Sequence, residues 1–297
     1  MRRYVFQGFI ACTCLGVSLA QGQPPADSVA IASALWQIKT VGPGVVWKQF
    51  HFAEKQLFNA NQNINILETR LKNRRVRFGF ASADAVGDTA RKLLKTSEIA
   101  AKVGALVAVN GTFFDTKRGG SVDFIKIAGR VLDTTRYAPG KALAEHQQAA
   151  LVVRRRKVRV ARGTSYGWEK TLKADNVMVT GPLLLWQGAS AIRQTNAFND
   201  NRHPRTCACV TTDKRLLLIT VDGRTSQAYG MSLGELSFLS KILGCRDAVN
   251  FDGGGSTTMW IAGQPDSGVV NMPCDDKVFD HAGERAVSNV FLVRKKN

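Results

Sequence analysis

Two acidic residues followed by glycine are the side chains of this sequence best placed for chemistry. Asp252 precedes Gly253-Gly254-Gly255-Ser256, and Asp222 precedes Gly223-Arg224. Consecutive glycines let the backbone turn sharply and direct several N–H groups at one anion, which a neighbouring carboxylate can then act on. A tight turn in which Asp bonds its own backbone explains the same residues without any function. The pattern leaves an anion site and a plain turn both open.

Arginines and one glutamate are further candidates. A guanidinium fits phosphate oxygens in a bidentate way, so Arg205, Arg224 and Arg285 are candidates for a phosphate clamp, although each alone is also compatible with an ordinary surface arginine. Glu235 could serve as a catalytic acid, but it also completes a helix capping box with Ser232. The 4 histidines lack metal-ligand spacing and no Gly-x-Ser-x-Gly motif occurs. These absences argue against a zinc hydrolase and a serine α/β-hydrolase.

The segments around the two acidic residues predict how they are positioned. A buried type of strand, 216–221, runs into Asp222, and a helix with leucines at helical spacing begins after Ser232 and ends at Gly244. A second strand then leads to Asp252. Strand, helix and strand from Leu216 to Phe251 predict a crossover between two parallel strands, which would bring both carboxylates to one sheet edge. Asn110 ends the apolar run 105–109 in the same manner.

The rest of the chain is rich in short strands. Alternating apolar residues predict strands at 63–66 and 75–80, and a helix is predicted over 88–103. The basic run 154–157 lies between two apolar runs, where a solvated hairpin tip and a polyanion site are both compatible with it. Another strand region, 176–186, is interrupted by Pro182. These elements predict an α+β fold, with a mixed β-sheet core and packed helices, in a single domain over residues 28–297.

The first residues have the pattern of an export signal. Met1-Arg2-Arg3 is followed by an apolar run to Ala20, where small residues predict cleavage before Gln21. The alternative is a lipoprotein modified at Cys12 or Cys14. Residues 21–27 are interpreted as a linker. No later run has the ~20 apolar residues needed to cross a bilayer, so we expect a periplasmic or extracellular protein without a membrane span but with a lipid anchor left open.

Cysteines outside the signal could form disulfides in an oxidising compartment. They are Cys207, Cys209, Cys245 and Cys274. Cys207 and Cys209 share one face of a predicted strand, where a mutual bridge is awkward. Cys245 with Cys274 is the pairing to test first, and buried free thiols are an equal alternative.

The charge of the chain indicates acidic partners. The formal net charge is +18 at pH 7, which suits phosphate-bearing glycans or anionic surfaces. The Lys and Arg residues are scattered and no nucleic-acid-binding motif occurs, so we expect no nucleic acid partner.

A series of motifs, in chain order, resembles the phosphodiester glycosidase domain family. The matching segments are Asn110-Gly111-Thr112-Phe113-Phe114-Asp115, Thr180-Gly181-Pro182-Leu183-Leu184, Pro204-Arg205-Thr206, Asp222-Gly223-Arg224, Met231-Ser232-Leu233-Gly234-Glu235-Leu236, Asn250 to Thr258, and Glu284-Arg285-Ala286-Val287-Ser288-Asn289. The resemblance covers roughly residues 106–293. Residues 28–104 resemble the family only loosely and form either the first strands of the same domain or a small addition.

The resemblance implies hydrolysis of the bond between a sugar anomeric carbon and a phosphodiester oxygen. The substrate would be an N-acetylglucosamine-1-phosphodiester or a phosphorylated polysaccharide. A carboxylate would stabilise the oxocarbenium-like sugar or activate water, while cations hold the phosphate. The catalytic candidates are Asp252 as the leading carboxylate, Asp222 as its partner, and Glu235. The substrate-binding candidates are Asn110, Arg205, Thr206, Arg224, Asn250, Gly253, Gly254, Ser256, Thr257 and Arg285.

The sequence leaves three questions open. A divalent cation between Asp222 and Asp252 is neither indicated nor excluded by the sequence. A non-catalytic protein that binds anionic glycans is the alternative function, and turnover distinguishes it. A phosphodiesterase that breaks the phosphorus–oxygen bond would differ in where the oxygen of water ends up.

Overall fold

The computed structural model describes residues 25–84, 91–137, 142–155, 157–163 and 167–296. The predicted signal peptide, 1–20, and most of the linker, 21–27, lie outside the described residues. The linker prediction is wrong at its end, because residues 26 and 27 are helical and Asp27 accepts a hydrogen bond from the Phe58 N–H at 2.7 Å. Across the described ranges, no helix combines the length and apolar character that crossing a membrane requires.

Strands dominate the described residues. In chain order they are β1 Gln37–Gly42, β2 Val45–Leu57, β3 Ala60–Arg70, β4 Val76–Ser82, β5 Leu94–Lys95, β6 Val107–Asn110, β7 Ile125–Ile127, β8 Arg130–Asp133, β9 Ala149–Arg154, β10 Lys157–Arg162, β11 Asn176–Thr180, β12 Leu183–Trp186, β13 Ala189–Ser190, β14 Arg205–Thr211, β15 Arg215–Val221, β16 Cys245–Asn250, β17 Met259–Ile261, β18 Ala286–Val287 and β19 Asn289–Lys295. The α-helices are α1 Ala26–Ser33, α2 Thr96–Lys102, α3 Trp168–Thr171, α4 Ala197–Asp200 and α5 Leu233–Ile242.

The largest sheet, named the main sheet, has the strand order β1-β2-β3-β15-β14-β16-β12-β13. Its neighbouring strands all pair antiparallel. β15 and β16 both pair with β14, so they run in the same direction without touching each other. The predicted crossover is therefore correct in direction, but the predicted mixed sheet is not observed, because β14 lies between the two parallel strands.

Apolar residues cover both faces of the main sheet. On one face, leucines of α5 pack with Ile219, Cys207 and Ile31 of α1 in one buried cluster. On the other face, Leu218 and Val249 pack with residues of two smaller sheets in a second cluster. These sheets have the orders β10-β9-β11-β7-β8 and β17-β6-β19-β4. Burial on both faces explains why residues 216–219 are all apolar.

The helix α5 confirms the prediction made from its cap. Ser232 accepts a hydrogen bond from the N–H of Glu235 at 3.1 Å, and Glu235 accepts one from the N–H of Ser232 at 2.9 Å. Gly244 follows the helix with a φ of +84°, which glycine adopts without strain. The helix therefore begins and ends where the local sequence requires.

The structure confirms a predicted hairpin and corrects the start of a predicted helix. The hairpin around the basic run is confirmed, since β9 and β10 pair antiparallel with Arg154 opposite Lys157. The helix predicted over 88–103 is wrong at its start: residues 94–95 form β5, and the helix begins at Thr96. Glu98 sets that start by accepting a hydrogen bond from the Lys95 N–H at 3.0 Å.

The disulfide also differs from the prediction. Cys245 pairs with Cys209, whose Cα lies 5.8 Å away, and Cys207 and Cys274 are buried free thiols. Cys209 and Cys245 lie on the adjacent strands β14 and β16. Because that adjacency depends on the strand order of the sheet, the sequence alone did not indicate it.

Candidate active site

The three predicted strand tips meet at one edge of the molecule. Asn110, at the end of β6, donates from Nδ2 to the backbone carbonyl of Asp252 at 2.7 Å. Its Oδ1 accepts from the Thr206 hydroxyl at 2.7 Å and from the Thr258 N–H at 3.2 Å. Both ends of this buried amide are thus used by the protein. Asn110 and Thr206 hold the strand ends together, which differs from their predicted direct role on substrate.

Asp222 is fully buried and held by two amides. Its Oδ2 accepts from Asn63 Nδ2 and its Oδ1 from Asn271 Nδ2, each at 2.7 Å. Asn271 Oδ1 accepts from the N–H of Met259, which fixes the orientation of that amide. Burial raises the pKa of Asp222 to about 6, against the lowering effect of these hydrogen bonds. This carboxylate orients its neighbours from below the surface.

The surroundings of Asp222 do not fit a divalent cation. Amide N–H groups face both of its oxygens, and a cation needs lone pairs there. In the described part of the chain, no group of three or more His, Cys, Asp or Glu side chains is arranged to hold a metal. The donor groups around Asp222 and Asp252 therefore give no reason to place a cation between them.

Asp252 is half-buried and lies at the start of the glycine run. Its Oδ1 accepts from the Gly253 N–H at 2.9 Å, and its own N–H donates to the Gly111 carbonyl at 3.0 Å. Burial raises the pKa of Asp252 to about 6; the nearby Ser256 hydroxyl, the Gly253 N–H, Arg285 and Arg224 oppose this shift. Asp252 is therefore a partly accessible carboxylate that changes charge near neutral pH.

The glycine run is not the open anion nest that the sequence suggested. The N–H groups of residues 254, 256 and 257 donate to carbonyls at 2.9–3.2 Å, and the Gly253 N–H donates to Asp252. Of the run from Gly253 to Thr257, only Gly255 has an N–H without a recorded acceptor within the described residues. The N–H groups of Gly253 and Gly254 are thus already used, by the Asp252 carboxylate and the Pro204 carbonyl, and are not available to an anion.

The glycines instead leave room for two guanidinium groups. A Cβ on Gly254 would lie 2.9 Å from Arg224 Nη2, and one on Gly255 would lie 2.6 Å from Arg285 Nη2. Contacts this short require a neighbour to move, so glycine lets both arginines pack against the turn. Arg285 also pairs with Asp275, with Nε to Oδ1 at 3.0 Å. Arg224 forms no ion pair within the described residues and acts electrostatically on Asp252.

Arg205 does not belong with these two arginines. It is 1% exposed and donates to the carbonyls of Met231, Phe198 and Asn201 at 2.6–3.1 Å. The Phe198 ring lies 4.8 Å from its Cζ. Burial, with the charge of Arg224 nearby, lowers the pKa of Arg205 to about 10. The predicted phosphate role is wrong for Arg205, because its guanidinium is taken up by backbone carbonyls.

Glu235 is likewise engaged elsewhere. Besides capping α5, its carboxylate binds Arg202, with Nη2 to Oε1 at 2.5 Å. Both of its oxygens have protein partners, one on the helix cap and one on Arg202. We therefore leave Glu235 out of the catalytic set.

The remaining predicted residues are buried beside the turn. Asn250 donates from Nδ2 to the Gly181 carbonyl at 3.0 Å and to the Phe251 carbonyl. The hydroxyls of Ser256 and Thr257 and the Oδ1 of Asn250 have no well-formed hydrogen bond to the described residues. Ser256 Oγ still lies close enough to Asp252 to favour its charged form. These groups are therefore buried polar atoms on the chain segments that flank Asp252.

Sequence reasoning missed several residues of this region. Asn63 and Asn271, which hold Asp222, are far from it in the chain and carry no motif. Asp123 and His146 form a pair whose 23-residue separation matches no catalytic spacing. Only the order of the strands brings these residues together.

Comparisons with known proteins agree with this architecture. Residues 103–294 match the family model described as phosphodiester glycosidase. No protein of curated function matches the chain. Among solved structures, the zebrafish N-acetylglucosamine-1-phosphodiester alpha-N-acetylglucosaminidase catalytic domain, auto-inhibited by its pro-peptide, aligns with a TM-score of 0.66 at 18% identity. That alignment covers 91% of this chain and 94% of the zebrafish domain.

Two bacterial structures share the fold. A hypothetical protein from Synechocystis aligns with a TM-score of 0.62 at 15% identity. That alignment covers 88% of this chain and 64% of the Synechocystis chain. A protein of Burkholderia pseudomallei K96243, described as exported, aligns with a TM-score of 0.58 at 13% identity, covering 87% of this chain and 96% of the other. At these identities the structures establish a common fold. The family match over 103–294, joined to the site geometry, leads to the conclusion that the chain belongs to the phosphodiester glycosidase family.

Proposed function

We propose that this protein is an exported hydrolase that cleaves the bond between a sugar anomeric carbon and a phosphodiester oxygen. The observation that carries the proposal is Asp252, a half-buried carboxylate with a pKa raised to about 6, set beside two arginines at the glycine run. A carboxylate and fixed cations side by side suit a reaction in which positive charge grows on the sugar and negative charge on the phosphate.

Each group has a distinct task in the proposed reaction. Asp252 faces the anomeric carbon, where its ionised form stabilises the oxocarbenium-like transition state or activates water. Arg224 and Arg285 hold the phosphate, together with the N–H of Gly255. Asp222 is a positioning residue, since its amide partners connect β3 to the segment around Asn271.

The proposed hydrolysis breaks one bond to the anomeric carbon and forms another. The anomeric carbon–oxygen bond breaks, its electron pair leaves with the phosphate, and the oxygen of water bonds to the sugar. One proton of that water remains on the sugar hydroxyl and the other is taken up by the base or the phosphomonoester. Phosphate is a good leaving group, so a strong general acid is not required.

The proposed substrates are sugar-1-phosphodiesters, either small N-acetylglucosamine-1-phosphodiesters or phosphate-bearing polysaccharides. The net charge of +18 favours such anionic partners. We propose a periplasmic or extracellular location, with a mature protein that starts at Gln21. Mass spectrometry of the N-terminus tests this, and a diacylated Cys12 or Cys14 would establish the lipoprotein form instead.

The deciding experiment is a hydrolysis screen in ¹⁸O-labelled water. The protein is assayed against 1-phosphodiesters of N-acetylglucosamine, glucose, galactose and mannose in both anomeric forms, with Asp252→Asn as the control. We expect ¹⁸O in the anomeric hydroxyl of the released sugar. Label on the phosphate would identify a phosphodiesterase, and binding without turnover would identify the glycan-binding alternative.

A further inference from the structure

A buried aspartate and a partly exposed histidine form a pair that has no part in the proposed carboxylate and phosphate chemistry. Asp123 is 0% exposed, and its Oδ2 lies 2.5 Å from His146 Nδ1. The side chain of His146 is 39% exposed. A carboxylate at Nδ1 keeps a proton on that nitrogen and fixes the orientation of the ring. Nε2 is then left for a partner outside the described protein.

Two phenylalanines extend this pair into an aromatic surface. The Phe113 ring centroid lies 6.0 Å from that of His146 and 6.1 Å from that of Phe198. Phe198 is 38% exposed, which makes it one of the larger exposed apolar side chains. We call Phe113, His146 and Phe198 the aromatic wall.

Each member of the aromatic wall is tied to the candidate active site. Phe113 is separated by Thr112 from Gly111, whose carbonyl accepts a hydrogen bond from the Asp252 N–H. The backbone of His146 abuts Gly181, because a Cβ there would lie 3.3 Å from His146 Cα, and Gly181 accepts from Asn250. The wall is therefore joined to Asn250 and Asp252 through the backbone that follows β6 and β11.

The third member is held at the same place by a polar network. Glu145, the neighbour of His146, accepts from Asn196 Nδ2 at 2.9 Å and from Asn199 Nδ2 at 2.7 Å, which fixes the helix α4 that carries Phe198. The guanidinium of Arg205 also packs over the Phe198 ring. Polar residues without a role in the proposed reaction thus position the imidazole and the Phe198 ring.

We propose that the aromatic wall is the subsite for the sugar ring of the substrate, with Asp123 as the positioning residue of His146. A pyranose has an apolar C–H face, which packs against aromatic rings, and a rim of hydroxyls, which bonds a fixed polar group such as Nε2. Arg224 and Arg285 lie at the glycine run, and in the proposed reaction they bind the phosphate. The inference rests on the proposed function, because it assigns the other half of the same substrate.

The test compares a sugar phosphate with phosphate alone in NMR titrations of ¹⁵N-labelled full chain. The probes are the 1-phosphates of N-acetylglucosamine, glucose, galactose and mannose, against inorganic phosphate. We expect at least one sugar phosphate to shift the side-chain nitrogens of His146 and inorganic phosphate to leave them unchanged. No shift with any sugar phosphate overturns the subsite.

Variants provide the second readout. His146→Gln and Phe198→Ala should each weaken sugar phosphate binding roughly fivefold to tenfold, the value of about one hydrogen bond or one stacked ring, and leave phosphate binding within about twofold. Phe198→Tyr, which keeps the ring, should retain wild-type affinity, and Leu35→Ala, at an exposed apolar side chain outside the aromatic wall, is the control. Equal losses for both ligands contradict the proposal.

Asp123→Asn tests the positioning role. The nitrogen shifts of His146 report which ring nitrogen carries the proton, so we expect a single Nδ1–H form in the wild type and a mixture in the variant, with weaker sugar binding. Hydrolysis is not needed for these readouts. A wild type that shows the His146 response without turnover refutes the proposed reaction alone, and turnover without that response refutes the subsite alone.

Discussion

The change from Asp252 to Asn removes one charge from the candidate site with little change in shape. Asn keeps an oxygen that can accept the Gly253 N–H now bonded at 2.9 Å, so the turn should survive. With a pKa of about 6, the wild-type carboxylate is almost fully ionised at pH 7.5. Its charge is therefore present in the reacting enzyme and absent in the variant.

The expected loss of rate follows from electrostatics. A carboxylate about 4 Å from a developing positive charge, at an effective dielectric constant of about 20, contributes about 4 kcal/mol. Each ~1.4 kcal/mol changes the rate about tenfold, so this upper value corresponds to roughly a thousandfold. Charge develops only partly in the transition state, and we expect kcat to fall by about a hundredfold to a thousandfold.

The assay measures kcat and KM on the best sugar-1-phosphodiester from the screen, together with the melting temperature. Asp213→Asn is the matched control, because Asp213 is a solvent-exposed residue in the turn that joins β14 to β15, at the end of the main sheet away from Asp222. We expect the control to keep wild-type kcat. A folded Asp252→Asn protein with kcat within about threefold of wild type would refute the assigned role of Asp252.

Three further outcomes are expected. First, kcat/KM should rise with pH through about 6 and then level off, because Asp252 must be ionised, and a profile flat from pH 5 to 8 would contradict this. Second, Arg224→Ala should raise KM about tenfold or more with little loss of melting temperature. Arg205→Ala removes the donor to three carbonyls and should instead lower the free energy of unfolding by about 3 kcal/mol. The opposite pattern in kinetics and denaturant titrations would exchange the roles of the two arginines. Third, replacing both Cys209 and Cys245 by Ala should lower the free energy of unfolding by at most about 4 kcal/mol, given a sequence separation of 36, and an unchanged transition midpoint would show that the bridge contributes nothing.

Local sequence patterns predicted the elements around the site well. The capping box predicted the start of α5, and the order strand, helix, strand predicted the common direction of β15 and β16. These signals work at short range, because a cap and a periodic apolar face involve residues within about one or two helical turns. The placement of Asp222 and Asp252 at the same end of the main sheet follows from that direction, whereas Asn110 comes from a strand of another sheet.

Pairings between distant residues could not be predicted in this way. The bridge of Cys209 to Cys245 requires β14 to lie beside β16, and the pair of Asp123 with His146 requires the segments before β7 and β9 to meet. Alternation of apolar residues gives the face of a strand but not its neighbour. The order of the strands in the sheets supplied this information.

For the site itself, the sequence determined that Asp252 stands at the end of a buried strand and before three glycines. Which guanidinium is engaged by backbone carbonyls was decided only by the tertiary structure. Arg205, Arg224 and Arg285 have the same chemistry, but backbone carbonyls surround the first, while the glycine run makes room for the other two. The reason is that a guanidinium binds whatever acceptors the fold places around it, and those acceptors come from segments far away in the chain.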